Sequence, residues 1–203
     1  MSKKTKIQKI AEVISNISNP GLLAILIIFM AVYRSEMPHN IAIAWYVAIL
    51  IFNCVIPGII YLYFTKKGYV FDDTLSHENV HKERILLFGS FLLVAVLELV
   101  IMIVTHEHYQ PLLATIVGGI VSIVFASVVS YFWKISMHSA MITYFTMMLV
   151  FIFGYQYWPV FLLIPLVWWA RLVLHRHTIW QLLEGCSLSI AIVLIIFKFF
   201  GLI

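Results

Sequence analysis

The chain of 203 residues is strongly apolar: 63% of its residues are hydrophobic, 11% are charged, and the mean hydropathy is +1.03. A soluble domain carries about 25% charged residues, so this composition excludes an ordinary soluble fold and predicts an integral membrane protein. The net charge of +4 comes without a dense basic patch interleaved with aromatic residues, which excludes nucleic acid as an expected partner.

Residues 1–16 have the pattern of an amphipathic helix. Apolar side chains recur at helical spacing at Ile7, Ile10, Ala11, Ile14 and Ile17, and the lysines fall mostly outside that stripe. The pattern predicts an interfacial helix that rests on an anionic leaflet. A frayed basic tail is the alternative interpretation.

Seven apolar stretches then follow, each near the length that a helix needs to cross a bilayer. They are continuously apolar, whereas the strands of membrane barrels alternate. The stretches are Ile17–Tyr33, Ile41–Phe64, Ile85–Val104, Leu112–Trp133, Ala140–Phe153, Val160–Leu174 and Leu182–Phe200. We therefore predict an all-α integral membrane fold, a bundle of six to seven transmembrane helices that forms a single domain over residues 1–203.

The basic residues between these stretches lie mainly on one side of the predicted bundle. Only Arg34 and Lys198 fall on the other side. Because loops rich in lysine and arginine stay in the cytoplasm, the first side is predicted to be cytoplasmic. The residues on that side are Lys3, Lys4, Lys6, Lys9, Lys66, Lys67, Lys82, Arg84, Lys134, Arg171 and Arg176.

Three polar clusters lie on this predicted cytoplasmic side, in the ranges 77–84, 134–139 and 171–181. Their chemistry suits phosphoryl transfer, because arginine grips phosphate oxygens with a planar pair of donors. Ser136 and the free amides at the next helix start add donors for an anion. Histidines with a pKa near neutrality serve as nucleophile and general acid, and Gln181 lies one helical turn after His177, where it can orient the ring.

These residues carry a resemblance to a known family. Arg171, five residues, His177, three residues and Gln181 resemble the third motif of the type 2 phosphatidic acid phosphatase (lipid phosphate phosphatase) superfamily. The segment Ser136-Met137-His138 resembles the second motif. Lys82-Glu83-Arg84 resembles the end of the first motif, and His77 stands where that motif has a lysine.

The resemblance implies roles for these residues. It makes His177 the nucleophile that forms a phosphohistidine, His138 the general acid and Gln181 the residue that orients His177. The predicted phosphate-binding residues are Arg84, Arg171, Lys82, Ser136 and His77. The implied activity is hydrolysis of a phosphorylated lipid, such as a phosphatidate, a prenyl phosphate or a diphosphate, with no metal and no cofactor.

The chain departs from the family pattern at several motif positions. Ala170 replaces a serine, His175 takes a position that is often glycine, and Gln181 replaces an aspartate. A neutral amide can fix the tautomer of His177, but it stabilises an imidazolium less than a carboxylate does. The alternative is therefore a catalytically weak or inactive lipid-phosphate-binding membrane protein of the same fold.

Two further protein classes are alternatives to the phosphatase. The eight histidines are compatible with a di-iron membrane oxygenase, but the chain has no His-His pair. A non-catalytic scaffold is the other class, and release of phosphate distinguishes it from the enzyme. Glu98, in the middle of the third stretch, is interpreted as a protonated structural residue facing the bundle.

Overall fold

The computed structural model describes residues 4–67, 79–106 and 109–203, and the regular elements within these ranges are all helical. This confirms the predicted all-α class. The α-helices in the described ranges are α1 Lys6–Ile17, α2 Pro20–Arg34, α3 His39–Leu50, α4 Ile56–Lys66, α5 Asn79–Val104, α6 Gln110–Phe132, α7 Met137–Phe153, α8 Leu163–Val173 and α9 Ile179–Phe199.

The helices α1 and α2 form a pair bent by 40°. Thr5 and Gln8 form a capping box at the start of α1, which satisfies amides that the helix itself cannot pair. The break falls where Asn19 caps α2 and Pro20 occupies its first turn, because proline favours a helix start and restricts the residue before it. The amphipathic segment predicted from the sequence is therefore a separate helix.

The second apolar stretch is helical throughout but changes register in its middle. A π-helical segment, Ile51–Val55, joins α3 to α4. Pro57 follows two residues later, and its missing amide and its ring are incompatible with an ordinary α-helical bond to the carbonyl of Asn53. The wider turn accommodates the proline.

This π-helical segment is tied to α5 by a buried polar pair. The side-chain amide of Asn53 donates to Glu98 Oε1 at 2.6 Å, and Glu98 is 2% exposed. The side chain of Glu98 thus faces the bundle, as predicted. Its partner is a neutral amide in the preceding stretch, and a buried carboxyl group needs such a partner in lipid.

The helices α7 and α9 pack closely against each other, and α2 and α6 cover them. The main cluster of buried apolar side chains draws on α2, α3, α5, α6, α7 and α9. The helix α1 packs on α8, while α5 packs on α6 and α4. A 3₁₀ helix, Tyr155–Leu162, leads from α7 into α8.

Four helical segments within the described ranges are long and apolar enough to cross a membrane, and the bent pair α1–α2 makes a fifth if it is one span. Two shorter apolar helices, Phe88–Val104 and Met137–Phe153, add to these. The chain is therefore a multi-pass membrane protein by length and composition of its helices. The number of six to seven spans remains a prediction.

The two ends of the bundle carry different residues. At one end, the Arg34 guanidinium lies over the ring of Phe153 at 5.6 Å, and Ser35 Oγ accepts from the amide of Leu112 at 3.1 Å. The end of α2, the end of α7 and the start of α6 therefore meet there. The starts of α7 and α9 and the end of α8 lie at the opposite end, which is where the second and third polar clusters fall.

Candidate functional site

The third cluster begins at the end of α8, where the chain reverses through a left-handed residue. The amide of Arg176 donates to the carbonyl of Arg171 at 3.0 Å, and the amide of His175 donates to the carbonyl of Leu172 at 3.0 Å. His175 has φ of +52°. This pair of bonds with a left-handed residue is a Schellman motif, and glycine is the residue that fits that position best. The turn leads from α8 to His177 and the start of α9.

His177 and Gln181 are in direct contact at the start of α9. His177 Nδ1 lies 3.1 Å from Gln181 Oε1, and the same oxygen accepts from the backbone amide of Thr178 at 3.1 Å. Thr178 and Gln181 form a capping box, in which each side chain bonds the other residue's amide. Gln181 is thus held by the helix start itself, and its oxygen faces the ring of His177.

When Nδ1–H donates to this oxygen, the lone pair of the imidazole is on Nε2. The two ring nitrogens of a neutral imidazole have opposite roles, so the acceptor at one nitrogen sets the chemistry of the other. The geometry therefore selects the tautomer whose Nε2 can act as a nucleophile or accept a proton.

The second cluster lies at the start of α7. Ser136 is fully buried and caps α7, accepting from the amide of Ser139 at 3.4 Å. The backbone amide of Ser136 donates to the carbonyl of Gln181 at 3.1 Å. The second and third clusters, far apart in sequence, are therefore joined by a main-chain hydrogen bond.

Further contacts, beyond this bond along α7 and α9, hold the two helices together. Ser139 Oγ donates to the carbonyl of Leu182 at 2.6 Å and accepts from Trp168 Nε1 at 2.7 Å. A Cβ atom at Gly185 would lie 2.5 Å from the carbonyl oxygen of Ser136, so the absence of a side chain at this position permits the close approach. These contacts set the spacing between the helix starts that carry His138 and His177.

Arg171 and His138 meet at the hydroxyl group of Ser15, which lies outside the three polar clusters. Arg171 is 4% exposed, and its Nη1 donates to Ser15 Oγ at 2.8 Å. His138 Nε2 lies 3.5 Å from the same oxygen. Ser15 belongs to α1, so the amphipathic N-terminal helix reaches the polar end of the bundle.

The structure thus brings five of the predicted site residues into one chain of contacts. Arg171 and His138 share Ser15, Ser136 precedes His138 by two residues and bonds to Gln181, and Gln181 contacts His177. All of these side chains are buried or half-buried.

The first cluster is not joined to the others by the described contacts. His77 lies outside the described residues. Lys82 and Arg84 lie on α5, whose backbone is described there, but their side chains lie outside what the structure describes. Within residues 4–67, 79–106 and 109–203, no group of three or more His, Cys, Asp or Glu side chains is placed to hold a metal ion.

The helix starts, the reversed turn and the histidine–glutamine contact all fall in the last third of the chain. Residues 130–202 match the model of the PAP2 superfamily. The match confirms the predicted resemblance to the type 2 phosphatidic acid phosphatase superfamily. No curated protein and no solved structure matches the chain significantly.

The PAP2 match covers just over a third of the chain. It includes both the second and the third cluster, and it leaves out the first cluster and α1. PAP2 proteins act as phosphatases on phosphorylated substrates, so the match suggests an activity of this kind.

Sequence reasoning missed Ser15 because its partners are remote: Arg171 lies 156 residues away along the chain. A signal was nevertheless present. Ala11, Ser15 and Ser18 recur at helical spacing, and all three are buried, while Ile10 and Val13 on the other side of α1 are more than half exposed. Small residues on one stripe of an amphipathic helix indicate the face that packs against protein.

Proposed function

We propose that this protein is a membrane-integral phosphatase that hydrolyses a phosphorylated lipid through a phosphohistidine at His177. The observation that carries the proposal is the 3.1 Å contact between His177 Nδ1 and Gln181 Oε1, inside the segment that matches the PAP2 superfamily. It supports a ring whose Nε2 lone pair attacks phosphorus. The apolar helices support a substrate whose tail stays in the bilayer, such as a phosphatidate, a prenyl phosphate or a diphosphate.

In the proposed first step, His177 Nε2 attacks the phosphorus atom and the bond to the leaving oxygen breaks. His138 gives that oxygen its proton, so the lipid departs as a neutral alcohol, or as a monophosphate if the substrate is a diphosphate. In the second step, His138 takes a proton from water as the water oxygen attacks phosphorus. The P–N bond breaks, and inorganic phosphate leaves.

Arg171, together with Arg84, is proposed to neutralise the phosphate oxygens during both steps. A guanidinium group stays charged and binds two oxygens at once, so it can stabilise the charge that develops at phosphorus. Lys82, His77 and Ser136, which caps α7, are proposed as additional phosphate contacts. The reaction as proposed uses no metal and no cofactor, and the site faces the cytoplasm.

The neutral side chain of Gln181 supports a second candidate function. Because it is neutral, it offers His177 an acceptor without the charge that would stabilise an imidazolium. The alternative proposal is a protein that binds lipid phosphates in the same pocket but turns them over slowly or not at all.

A phosphate-release screen over lipid phosphates in detergent tests the proposal, run with and without a chelator. We expect release that persists in excess chelator and is inhibited by vanadate, which adopts the five-coordinate geometry of the transition state. His177→Ala should abolish release in a folded protein, whereas His175→Ala serves as the matched control and should have a milder effect. Equal losses from both variants, or dependence on an added metal, would contradict the mechanism.

A further inference from the structure

The side chain of Ser15, on α1, contacts two residues of the proposed site. It is 6% exposed, and its Oγ lies 2.8 Å from Arg171 Nη1 and 3.5 Å from His138 Nε2. The segment that matches the PAP2 superfamily begins at residue 130 and does not include it. The contact therefore comes from a part of the chain to which the comparison assigns no role.

The hydroxyl group is suited to link these two side chains. A guanidinium group has donors only, so Ser15 Oγ must act as the acceptor toward Arg171. The hydroxyl retains a proton and a second lone pair, and the imidazole nitrogen can use either one, depending on its protonation. While Nε2 faces Ser15, the proton that catalysis requires must move at Nδ1, and the contact with Ser15 can persist as His138 gains or loses that proton.

The position of Ser15 is fixed by the packing of α1. This helix packs on α8, which carries Arg171 in its last turn, and Ala11, one turn before Ser15, is fully buried. Ser18, one turn after Ser15, donates to the carbonyl of Ile14 at 2.8 Å and lies at the end of α1. The hydroxyl of Ser15 is thus presented from a packed helix rather than from a loose terminus.

We propose that Ser15 is a positioning residue of the phosphate site. It holds the guanidinium of Arg171, which binds the phosphate, at a set distance from His138, which protonates the leaving oxygen. The inference rests on the proposed phosphatase function and extends it, because it makes α1 a part of the site. Misplacing either group by a fraction of an ångström lowers the rate more than it lowers binding of the lipid tail.

The test compares Ser15→Ala with Ser18→Ala in the full-length protein. Both changes remove a buried serine hydroxyl at α1: that of Ser15 contacts Arg171 and His138, whereas that of Ser18 donates to the carbonyls of Ile14 and Ser15. We expect Ser15→Ala to lower kcat by about ten- to a hundredfold with a smaller change in KM, as losses of supporting hydrogen bonds do. Ser18→Ala should keep the kcat of the wild type. Ser15→Thr retains the hydroxyl and should recover most of the rate.

Three outcomes would overturn the inference while the phosphatase function stands. These are a Ser15→Ala enzyme as fast as the wild type, an equal loss of kcat in Ser18→Ala, and a Ser15→Thr enzyme as slow as Ser15→Ala when both are folded. If Ser15→Ala does not fold, Ser15→Thr and Ser18→Ala still test the positioning role of Ser15. Ser15→Thr should be active, and a Ser15→Thr protein that folds but is inactive would contradict that role.

Vanadate binding separates a failure of this inference from a failure of the proposed function. If the wild type releases no phosphate, its thermal stability is measured with increasing vanadate, and the same titration is made with Ser15→Ala. Weaker binding to Ser15→Ala than to Ser18→Ala would support the positioning of Arg171 in a non-catalytic pocket. Equal binding by these two variants, or no binding by the wild type, would overturn it.

Discussion

At the scale of single residues, the oxygen of Gln181 has two partners: the ring of His177 and the amide of Thr178. Gln181→Leu keeps the bulk of the side chain and removes this acceptor. Because the tautomer and the angle of the ring then lose their support, we expect kcat to fall about ten- to a hundredfold. The measurement is phosphate release by purified protein at saturating substrate.

The control for Gln181→Leu separates ring orientation from helix capping. Thr178→Ala removes the other half of the capping box, at a cost of about 1 kcal/mol in stability, but leaves the acceptor for His177 in place. It should keep most of the rate. An equally slow Thr178→Ala would assign the effect to the helix start instead of the ring.

Gln181→Glu keeps the length of the side chain and adds a charge. A carboxylate at this position would stabilise an imidazolium and would also suit the N-terminal end of α9. We expect a rate equal to or above that of the wild type. An inactive wild type that gains phosphatase activity through this change would support the binding-protein alternative.

The backbone conformation of His175 leads to a prediction about stability and not about catalysis. At φ of +52° it occupies a conformation that is unfavourable for residues with a Cβ atom and free of that penalty for glycine. His175→Gly should therefore raise the free energy of unfolding by about 0.5–1 kcal/mol and leave activity in place. The free energy of unfolding is measured in detergent, with Leu174→Gly as the control.

Leu174 has φ of −81°, so glycine brings no such relief there and should lower stability by about 1 kcal/mol, the usual cost in a helix. If His175→Gly and Leu174→Gly lower the free energy of unfolding equally, the prediction of backbone strain at His175 is wrong.

The contact of His177 with Gln181 was predicted from the sequence, whereas the contact of Arg171 with Ser15 was not. His177 and Gln181 are four residues apart at the start of α9, where the side chain of Gln181 reaches back past the cap residue Thr178 to the ring, so the contact is local in the chain. Arg171 meets Ser15 only because α1 packs on α8, and that packing depends on the shapes of both helices. Local spacing predicts local contacts, whereas a contact between distant segments needs the fold.

At the scale of helices, Gly185 sets how closely α9 can approach α7. A Cβ atom there would meet the Ser136 carbonyl oxygen at 2.5 Å and the Ala140 nitrogen at 3.2 Å, and both are backbone atoms that cannot rotate away. Gly185→Ala should lower stability by about 1–3 kcal/mol, the usual cost of overpacking. It should also lower activity, because the Ser136–Gln181 bond lies at the same contact.

Gly119 on α6 is the matched control. A Cβ atom at Gly119 meets nothing within 4 Å, so Gly119→Ala should be neutral, or stabilising by up to about 1 kcal/mol through its helix propensity. Thermal unfolding in detergent and phosphate release give both readouts. A Gly185→Ala protein as stable and active as Gly119→Ala would show that α9 can shift without harm to the site.

The helices themselves were predictable because each apolar stretch must satisfy its backbone hydrogen bonds internally in lipid, and a helix does this. The seven predicted stretches all contain helices in the structure. The interruptions were not predicted: the π-helical turn before Pro57 lies within a run that hydropathy treats as uniform. The 3₁₀ helix Tyr155–Leu162, which contains Pro159, lies mostly between the fifth and sixth stretches, where hydropathy alone predicts no helix type.

At the scale of the whole molecule, the second and third polar clusters lie at one end of the bundle, and the contact between Arg34 and Phe153 lies at the other. The helix α7 begins beside the site at Ser136 and ends at Phe153, which lies close to Arg34. Basic residues remain concentrated on the site side even when the proposed catalytic and phosphate-binding arginines are left out, which favours a cytoplasmic site. The orientation is a prediction that labelling can test.

Single cysteines at the two ends would report this orientation. Cys54 and Cys186 are free cysteines, so both are first replaced by alanine. Lys9 is exposed on α1 beside the site, and Tyr155 is 78% exposed just after the far end of α7. In intact cells, a membrane-impermeant maleimide should label Tyr155→Cys and should spare Lys9→Cys until the membrane is opened. The physical reason is the charge bias, because lysine-rich segments resist transfer across the bilayer. Each variant must also release phosphate, so that labelling reports a folded protein. Labelling of Lys9→Cys alone in intact cells would place the site outside, and a substrate in the outer leaflet would then follow.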